Sequence, residues 1–278
     1  MRLTPILMTG AALTGAFLSG PAMAQPASTG GTEVESAPSN RTTYTVGLGA
    51  GLAPDYEGSD HYEIVPLWNL RVNNLYNPNT FVQILGPRLR SNFLPSPHWQ
   101  LGLDGQFIKE RDHHVHDNAV SDLKSVDPSL MLGVIGGYDF LADPREQLAV
   151  QVEARQDVAN GNGALVSLRG VYGTPLSESW RIDTSVEGTW ASEDYMSNYF
   201  GIDAADSARS GLSQHNADAG FESVGFGGSL TYNFSERWSL SGLASYTRLL
   251  GDAADSPIVK DQGDKNQLFG GALVNYRF

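Results

Sequence analysis

The residues best suited to chemistry form a histidine-rich segment, KERDHHVHD at residues 109–117. His113, His114 and His116 have the spacing at which imidazoles can ligate zinc or copper, with a neighbouring carboxylate completing the shell. The chain has no cysteine to strengthen such a site, and no regular element is predicted beneath the histidines. A solvated polar loop is the favoured interpretation, and no metal site is predicted.

An acidic segment at residues 54–63 is the second candidate, because its carboxylates could bind a divalent cation through oxygen ligands. It lacks the spacing of a known calcium loop, so a solvated turn is favoured. No serine stands in a GxSxG elbow, and pairing serines with His61, His98 or His215 would be arbitrary. The sequence therefore predicts no catalytic residue, no cofactor and no enzyme.

Composition excludes further classes of protein. The 278 residues carry a formal charge of -13, which disfavours a nucleic-acid partner because binding a polyanion needs a basic face. With 31 glycines, the chain exceeds the usual glycine share of about 7%, whereas only 18% of its residues are charged. This profile does not suit an ordinary soluble enzyme.

The elements that must position these side chains are strands, because polar and apolar residues alternate with period two along most of the chain. From Trp180 to Trp190 the even positions are mostly apolar and the odd positions wholly polar. The pattern predicts about eleven strands and no convincing amphipathic helix. They lie at residues 44–52, 62–72, 81–93, 99–107, 130–140, 148–154, 165–172, 180–190, 224–234, 238–250 and 270–278.

Three architectures fit many alternating strands: a sandwich, a soluble barrel and a transmembrane barrel. The predicted strands often reach the roughly 9 to 11 residues that a tilted membrane-spanning strand needs. Trp180 and Trp190 share a face and lie about 23 Å apart along the membrane normal, as two aromatic girdles would. The polar faces carry charges that suit a wet lumen rather than a packed core, namely Asp104, Glu153, Arg155, Arg169, Arg181, Asp183 and Glu187.

The N-terminal segment predicts export. Arg2 precedes a mostly apolar run that ends at Gly20-Pro21, and Ala22-Met23-Ala24 follows as a cleavage site. We therefore expect a signal peptide at residues 1–24, a flexible Ser/Thr/Gly/Pro-rich leader at residues 25–40 and an outer-membrane β-barrel at residues 41–278.

Strand parity requires one correction, because a barrel with both ends in the periplasm has an even number of strands. We expect an all-β, antiparallel, up-and-down transmembrane barrel of about 10 to 12 strands. The ambiguous segment at residues 54–60 is the expected place of the error. Residues 112–127 and 192–218 become outer loops, and residues 174–179 a periplasmic turn.

Four segments carry a family resemblance: residues 47–66 (GLGAGLAPDYEGSDHYEIVP), 194–212 (DYMSNYFGIDAADSARSGL), 246–259 (YTRLLGDAADSPIV) and the closing 276–278 (YRF). Together they resemble the MipA/OmpV family of outer-membrane proteins. The aromatic end on an alternating last strand also resembles the insertion signal of Gram-negative outer-membrane barrels. Asp252 to Pro257 is either a family signature at the outer end of a strand or a turn that terminates it.

The resemblance implies a scaffold that holds a lytic transglycosylase together with a bifunctional penicillin-binding protein at the murein layer. The family has no agreed catalytic residues to transfer. The predicted function is thus a non-catalytic scaffold in the outer membrane, in contact with outer-membrane lipids. The alternatives are a small porin-like channel, or a surface receptor or adhesin, because luminal charges can either plug a small barrel or line a narrow path.

Overall fold

The computed structural model describes residues 41–141, 143 and 145–278. The predicted signal peptide and leader, residues 1–40, lie outside the described residues. Twelve strands follow one another along the chain: β1 Thr43–Pro54, β2 Tyr62–Asn73, β3 Phe81–Leu85, β4 Arg88–Asn92, β5 Trp99–Ile108, β6 Ser129–Asp139, β7 Gln147–Asp157, β8 Ala164–Pro175, β9 Trp180–Ala191, β10 Gly220–Asn233, β11 Trp238–Leu249 and β12 Asn266–Arg277.

The strands form one closed antiparallel barrel in which each strand pairs with its neighbours in sequence. Closure comes from β1 and β12, which pair from Thr45 with Arg277 to Leu52 with Gly270. Within the described residues, five short helices lie in the connections: α1 Asn118–Ser121, α2 Glu193–Phe200, α3 Ala204–Ser210, α4 Gly251–Asp255 and α5 Pro257–Lys260. Among the residues that the structure describes, no helix is both long and apolar enough to cross a membrane.

Alternation along each strand separates a lipid face from a luminal face. In β7, Leu148, Val150 and Val152 point outward and are 43–49% exposed, whereas Glu153 and Arg155 point inward and are buried. An apolar exterior around a charged interior is the inverse of a soluble protein and is typical of a transmembrane barrel. The predicted fold class is confirmed, with twelve strands rather than ten.

Aromatic side chains line the outer surface at one end of the barrel. Trp238, Tyr276 and Phe278 form one edge-to-face chain, with successive ring centroids 4.8 Å apart. A second edge-to-face chain joins Trp99, Tyr138 and Phe140, and the rings of Trp180, Tyr232 and Phe234 form a tilted chain. Trp190 is also exposed at the far end of β9, so Trp180 and Trp190 share the lipid-facing side of that strand as predicted, and their spacing as two girdles stays a prediction.

The two ends of the barrel differ in the length of their connections. Residues 109–128, 192–219 and 250–265 form long connections at one end, whereas residues 93–98, 176–179 and 234–237 form short turns at the other. Outer-membrane barrels place short turns in the periplasm and long loops outside. The predicted outer loops and the predicted periplasmic turn therefore lie at the expected ends.

The segment predicted as one strand at residues 81–93 is a hairpin of two five-residue strands, β3 and β4. Gly86, at φ +53°, and Pro87 form the turn between them. The parity error was expected before Phe81, at residues 54–60, and that prediction was wrong. The luminal side chains occupy odd positions up to Leu85 and even positions from Arg88, so the alternation changes phase at the turn. The Gly-Pro pair at that point is an ordinary turn signal.

We expect Gly86→Ala to lower the free energy of unfolding by about 1 kcal/mol, because an L side chain is strained in the left-handed region. An added Cβ would meet only Leu67 Cδ2, at 3.9 Å, so the effect reports backbone strain rather than a clash. Gly188→Ala is the matched control, since nothing lies within 4 Å of its Cβ position. Urea titration in lipid vesicles measures both variants, and equal stabilities would contradict the assigned turn geometry.

The sequence predicts no convincing amphipathic helix, and the helices of the described residues are all short. The five helices are four to eight residues long, which is too short to show a period of 3.6 residues in a sequence window. The sequence signals of four of these helices are instead their N-cap residues. The side chains of Asp117, Ser192, Asp203 and Ser256 each accept a hydrogen bond from a backbone N–H in the first helical turn.

Candidate functional site

The outer loops fold inward and form a packed cap over the outer opening of the barrel. Tyr195, Met196 and Phe200 of α2 are at most 1% exposed and pack in one cluster with Leu249 and Val259. A second cluster joins the loops through Tyr56, Val120, Leu123, Ile202, Leu212 and Ile258. The cap therefore has an apolar core of its own, and it covers the outer end of the lumen.

Hydrogen bonds connect the separate loops of the cap. Ser256 is fully buried, and its Oγ donates to the carbonyl oxygen of Phe200 over 2.7 Å. The backbone N–H of Asp218 donates to the Asp252 carboxylate over 3.0 Å. The segment from Asp252 to Pro257 thus forms α4 and the start of α5 and joins the β9–β10 and β11–β12 loops, which is more than the termination of a strand.

The acidic segment at residues 54–63 is not the solvated turn that the sequence favoured. Asp55 and Glu57 are 6% and 7% exposed, because the β1–β2 loop folds beneath the cap. The Tyr195 hydroxyl donates to Glu57 Oε2 over 2.9 Å, and burial raises the pKa of Tyr195 well above its usual value. The backbone N–H of His116 donates to Asp55 Oδ2 over 2.9 Å. These carboxylates tie loops together.

The three histidines of the 109–117 segment contact different partners. His113 Nδ1 lies near the carbonyl oxygen of Ser121, and His114 Nδ1 lies 2.7 Å from Asp112 Oδ2. His116 stacks on His61 with ring centroids 5.5 Å apart. The hydrogen bond between Asp112 and His114 raises the pKa of His114 and lowers that of Asp112. In the described part of the chain, no group of three or more such side chains could hold a metal ion.

A network of paired charges fills the middle of the lumen. Glu153, which is fully buried, accepts hydrogen bonds from Arg88 and, over 2.6 Å, from Arg90. Arg88 also donates to Asp104 over 3.3 and 3.2 Å, and Arg155 Nε lies 3.4 Å from Asp104 Oδ2. This network joins β4, β5 and β7 across the interior, so charges that could have lined a path are paired with one another.

The luminal charges predicted from alternation all lie inside the barrel. Asp104, Glu153, Arg155, Arg169, Arg181, Asp183 and Glu187 are each at most 6% exposed. The sequence missed Arg88 and Arg90, which lie in the hairpin that was interpreted as a single strand. Counting alternation separately on each side of Gly86 and Pro87 would have placed both on the luminal face.

A shallow recess lined mainly by polar residues opens at the periplasmic end, and we call it the periplasmic mouth. Amides and hydroxyls join across it: Asn69 Nδ2 donates to Asn275 Oδ1 over 3.0 Å, and Asn275 Nδ2 donates to Ser241 Oγ over 3.1 Å. The charged side chains along its lining are Glu236, Arg237 and Arg277. The mouth therefore presents hydrogen-bonding groups and a few charges to the periplasm.

Residues 46–278 match the family described as MltA-interacting protein MipA. The chain belongs to this family. The match begins within β1 and includes the rest of the barrel and the whole cap. The predicted MipA/OmpV resemblance is confirmed.

Individual relatives match shorter segments. An MltA-interacting protein of Escherichia coli K12 is 41% identical over 100 residues, which are 36% of this chain and 40% of that protein. The outer membrane protein Omp26La of Vibrio anguillarum is 34% identical over 90 residues, or 32% of this chain and 33% of that protein. The matched segments thus span less than half of either relative. With homologues named as outer membrane proteins and the barrel described above, this MipA-family chain is an outer-membrane protein.

Solved outer-membrane proteins resemble the chain only at the level of the barrel. The porin NanC is 7% identical, with a TM-score of 0.42 over 84% of this chain and 98% of that one. An outer membrane channel from Pseudomonas putida F1 is 14% identical, with a TM-score of 0.42 over 88% and 97% of the two chains.

Proposed function

We propose that this MipA-family barrel is a non-catalytic scaffold that holds murein-processing enzymes at the inner surface of the outer membrane. The partners proposed are a lytic transglycosylase, as the name of the E. coli relative suggests, and a bifunctional penicillin-binding protein. Outer-membrane lipids surround the strands. The observation that carries the proposal is a lumen crossed by buried charge pairs beneath a packed cap.

The interior favours a scaffold over a small channel. Ions cross a pore that offers wide, hydrated and weakly binding positions. Here the Arg88 and Glu153 side chains are 2% and 0% exposed, and each guanidinium or carboxylate of the network already has an oppositely charged partner. Because these charges are paired with one another, they are not available to bind a passing ion, which suits a platform rather than a channel.

The periplasmic end supplies surface for a partner. Glu146 and Glu178 lie exposed in neighbouring turns, and Glu236 and Arg237 lie exposed at the periplasmic mouth. Charged side chains around a polar recess can steer and orient a protein partner without a large apolar patch. This end, rather than the cap, faces the murein layer.

Site-specific photocrosslinking in intact cells tests the scaffold. Probes at Glu146, Glu178 and Glu236 are expected to capture a lytic transglycosylase or penicillin-binding protein, because these side chains face the periplasm. Matched probes at the exposed cap positions His114 and Glu193 are expected to capture neither. The captured proteins are identified by mass spectrometry.

Two results would overturn the scaffold. One is capture of murein enzymes by cap probes alone. The other is discrete single-channel conductance of the purified barrel in planar bilayers, together with no captured murein enzyme. The channel would then take its place; capture of host or surface ligands at the cap would instead favour a receptor or adhesin.

A further inference from the structure

The wall of the barrel is shorter at the β3–β4 hairpin than at its other strands. β3 and β4 have five residues each, whereas the other strands have ten to fourteen. At the top of this hairpin, the N–H of Gly86 donates to the carbonyl of Trp68 on β2 over 2.8 Å. On the other side, the N–H of Phe107 on β5 donates to the carbonyl of Pro87 over 2.9 Å. Beyond this level, the ladder between β2 and β5 stops.

The resulting gap, which we call the notch, is bordered by residues 62–67 of β2, the Gly86-Pro87 turn and residues 107–109. Among the described residues, β2 pairs with β3 only from Asn69 to Asn73. Six residues of a strand tilted near 45° rise about 14 Å along the membrane normal. Because the notch lies on the side of the long outer loops, this height falls in the outer leaflet.

Pro66 stands on the open edge of the notch. The Trp68 carbonyl points toward the hairpin, and backbone groups two residues apart in a strand point to the same side. The position at which residue 66 would carry its N–H therefore faces the notch, and proline has none. Proline on an edge discourages the addition of another strand, so an added β-strand is not the occupant that this edge favours.

An apolar cluster lies directly behind the notch. Val65, Leu67 and Leu85 face the lumen there and pack with Leu243 and Leu273. Outside, Ile64 is 74% exposed toward the bilayer. At the notch, the apolar outer surface of the barrel thus lies next to an apolar part of its interior. Most of the interior near the hairpin is charged.

The outer rim of the notch is polar. Lys109, just after β5, reaches across to β2, with its Nζ 3.4 Å from Glu63 Oε1 and 3.8 Å from Asp55 Oδ1. Below the Lys109–Glu63 ion pair, the apolar cluster begins at Val65, at the level of the open backbone of residues 64–66, and continues to Leu67 and Leu85. An outer-leaflet lipid has the same order of groups, with its polar part above its hydrocarbon.

We propose that the notch is a binding slot for one acyl chain of an outer-leaflet phospholipid. The chain lies against Val65, Leu67 and Leu85, and the polar part of the lipid or its water reaches the open backbone of β2. Backbone groups without hydrogen-bond partners are costly in hydrocarbon. The polar part of the lipid, or its water, would therefore supply partners to the backbone of residues 64–66. In this structure the three side chains are 6–8% exposed, and a chain enters by rotation of Leu67, which spans from Gly86 to Gly271.

Photolabelling from the membrane tests the slot. The intact barrel is reconstituted with a phospholipid that carries a diazirine near the methyl end of one chain, and adducts are mapped by mass spectrometry after illumination. We expect luminal Leu67 and Leu85 to be labelled roughly tenfold more than luminal Thr231 and Ser229, since burying even two methylenes gives such a preference. Lipid-facing Leu101 serves as the positive control.

Leu67→Gln keeps nearly the same volume and makes the slot polar. We expect labelling of Leu85 to fall in this variant while labelling of Leu101 stays unchanged. The slot is refuted when Leu67 and Leu85 of the unmodified barrel are labelled no more than Thr231. It is refuted equally when Leu67→Gln, shown to be folded by its heat-modifiable migration, retains full labelling of Leu85. A variant that fails to fold leaves the map of the unmodified barrel to decide.

Discussion

Glu153→Ala is expected to lower the free energy of unfolding by about 3 to 5 kcal/mol, the usual cost of removing one partner from a buried ion pair. Glu153 is fully buried and accepts from both Arg88 and Arg90. Its loss leaves Arg90 without this carboxylate and Arg88 with Asp104 alone. Arg88 and Arg155 would then share the Asp104 carboxylate in the centre of the lumen.

The measurement is a urea titration of the barrel in lipid vesicles, followed by tryptophan fluorescence. Glu178→Ala removes an exposed carboxylate from a turn and is expected to change stability by well under 1 kcal/mol. Glu153→Gln retains the shape and one acceptor, so it should fall between the two. Equal stabilities of Glu153→Ala and Glu178→Ala would mean that the network does not hold the lumen together.

The strands of this barrel could be predicted because lipid outside and charge inside impose a period of two. Glu153, for example, was assigned to the lumen before its partners were known, since Val152 and Ala154 on either side belong to the apolar face. The number of strands depended on one turn. At Gly86 and Pro87 the luminal positions change from odd to even, which one continuous strand cannot accommodate, and the turn divides the segment into β3 and β4.

The partners of the luminal charges could not be predicted in the same way. Glu153 lies 65 residues from Arg88 in the chain, and its choice among several arginines depends on barrel register, which no local pattern specifies. The cap was missed for a related reason. Its helices are stabilised by contacts between loops, such as that of Ser256 with Phe200, rather than by their own periodicity.

The packed interior also changes what the luminal face tolerates. A wet lumen, which the polar face of β9 predicts, would accept an arginine in place of Ser185. Ser185 is 3% exposed, and its hydroxyl accepts from Arg169 over 3.1 Å. A second guanidinium there would meet a like charge in a filled space, so Ser185→Arg is no longer a neutral control for substitutions on the lipid face.

Val186→Arg is expected to lower the free energy of unfolding by about 2 to 4 kcal/mol, because it places a charge near the bilayer midplane. Val186 lies in the middle of β9, is 54% exposed and faces the lipid. Val186→Leu is the matched control, since it keeps an apolar side chain at the same depth and should change stability by less than about 1 kcal/mol. Urea titration in vesicles compares the two. Equal effects would show that size rather than charge limits this position, and a fully stable Val186→Arg would place residue 186 in water and reverse the faces of β9.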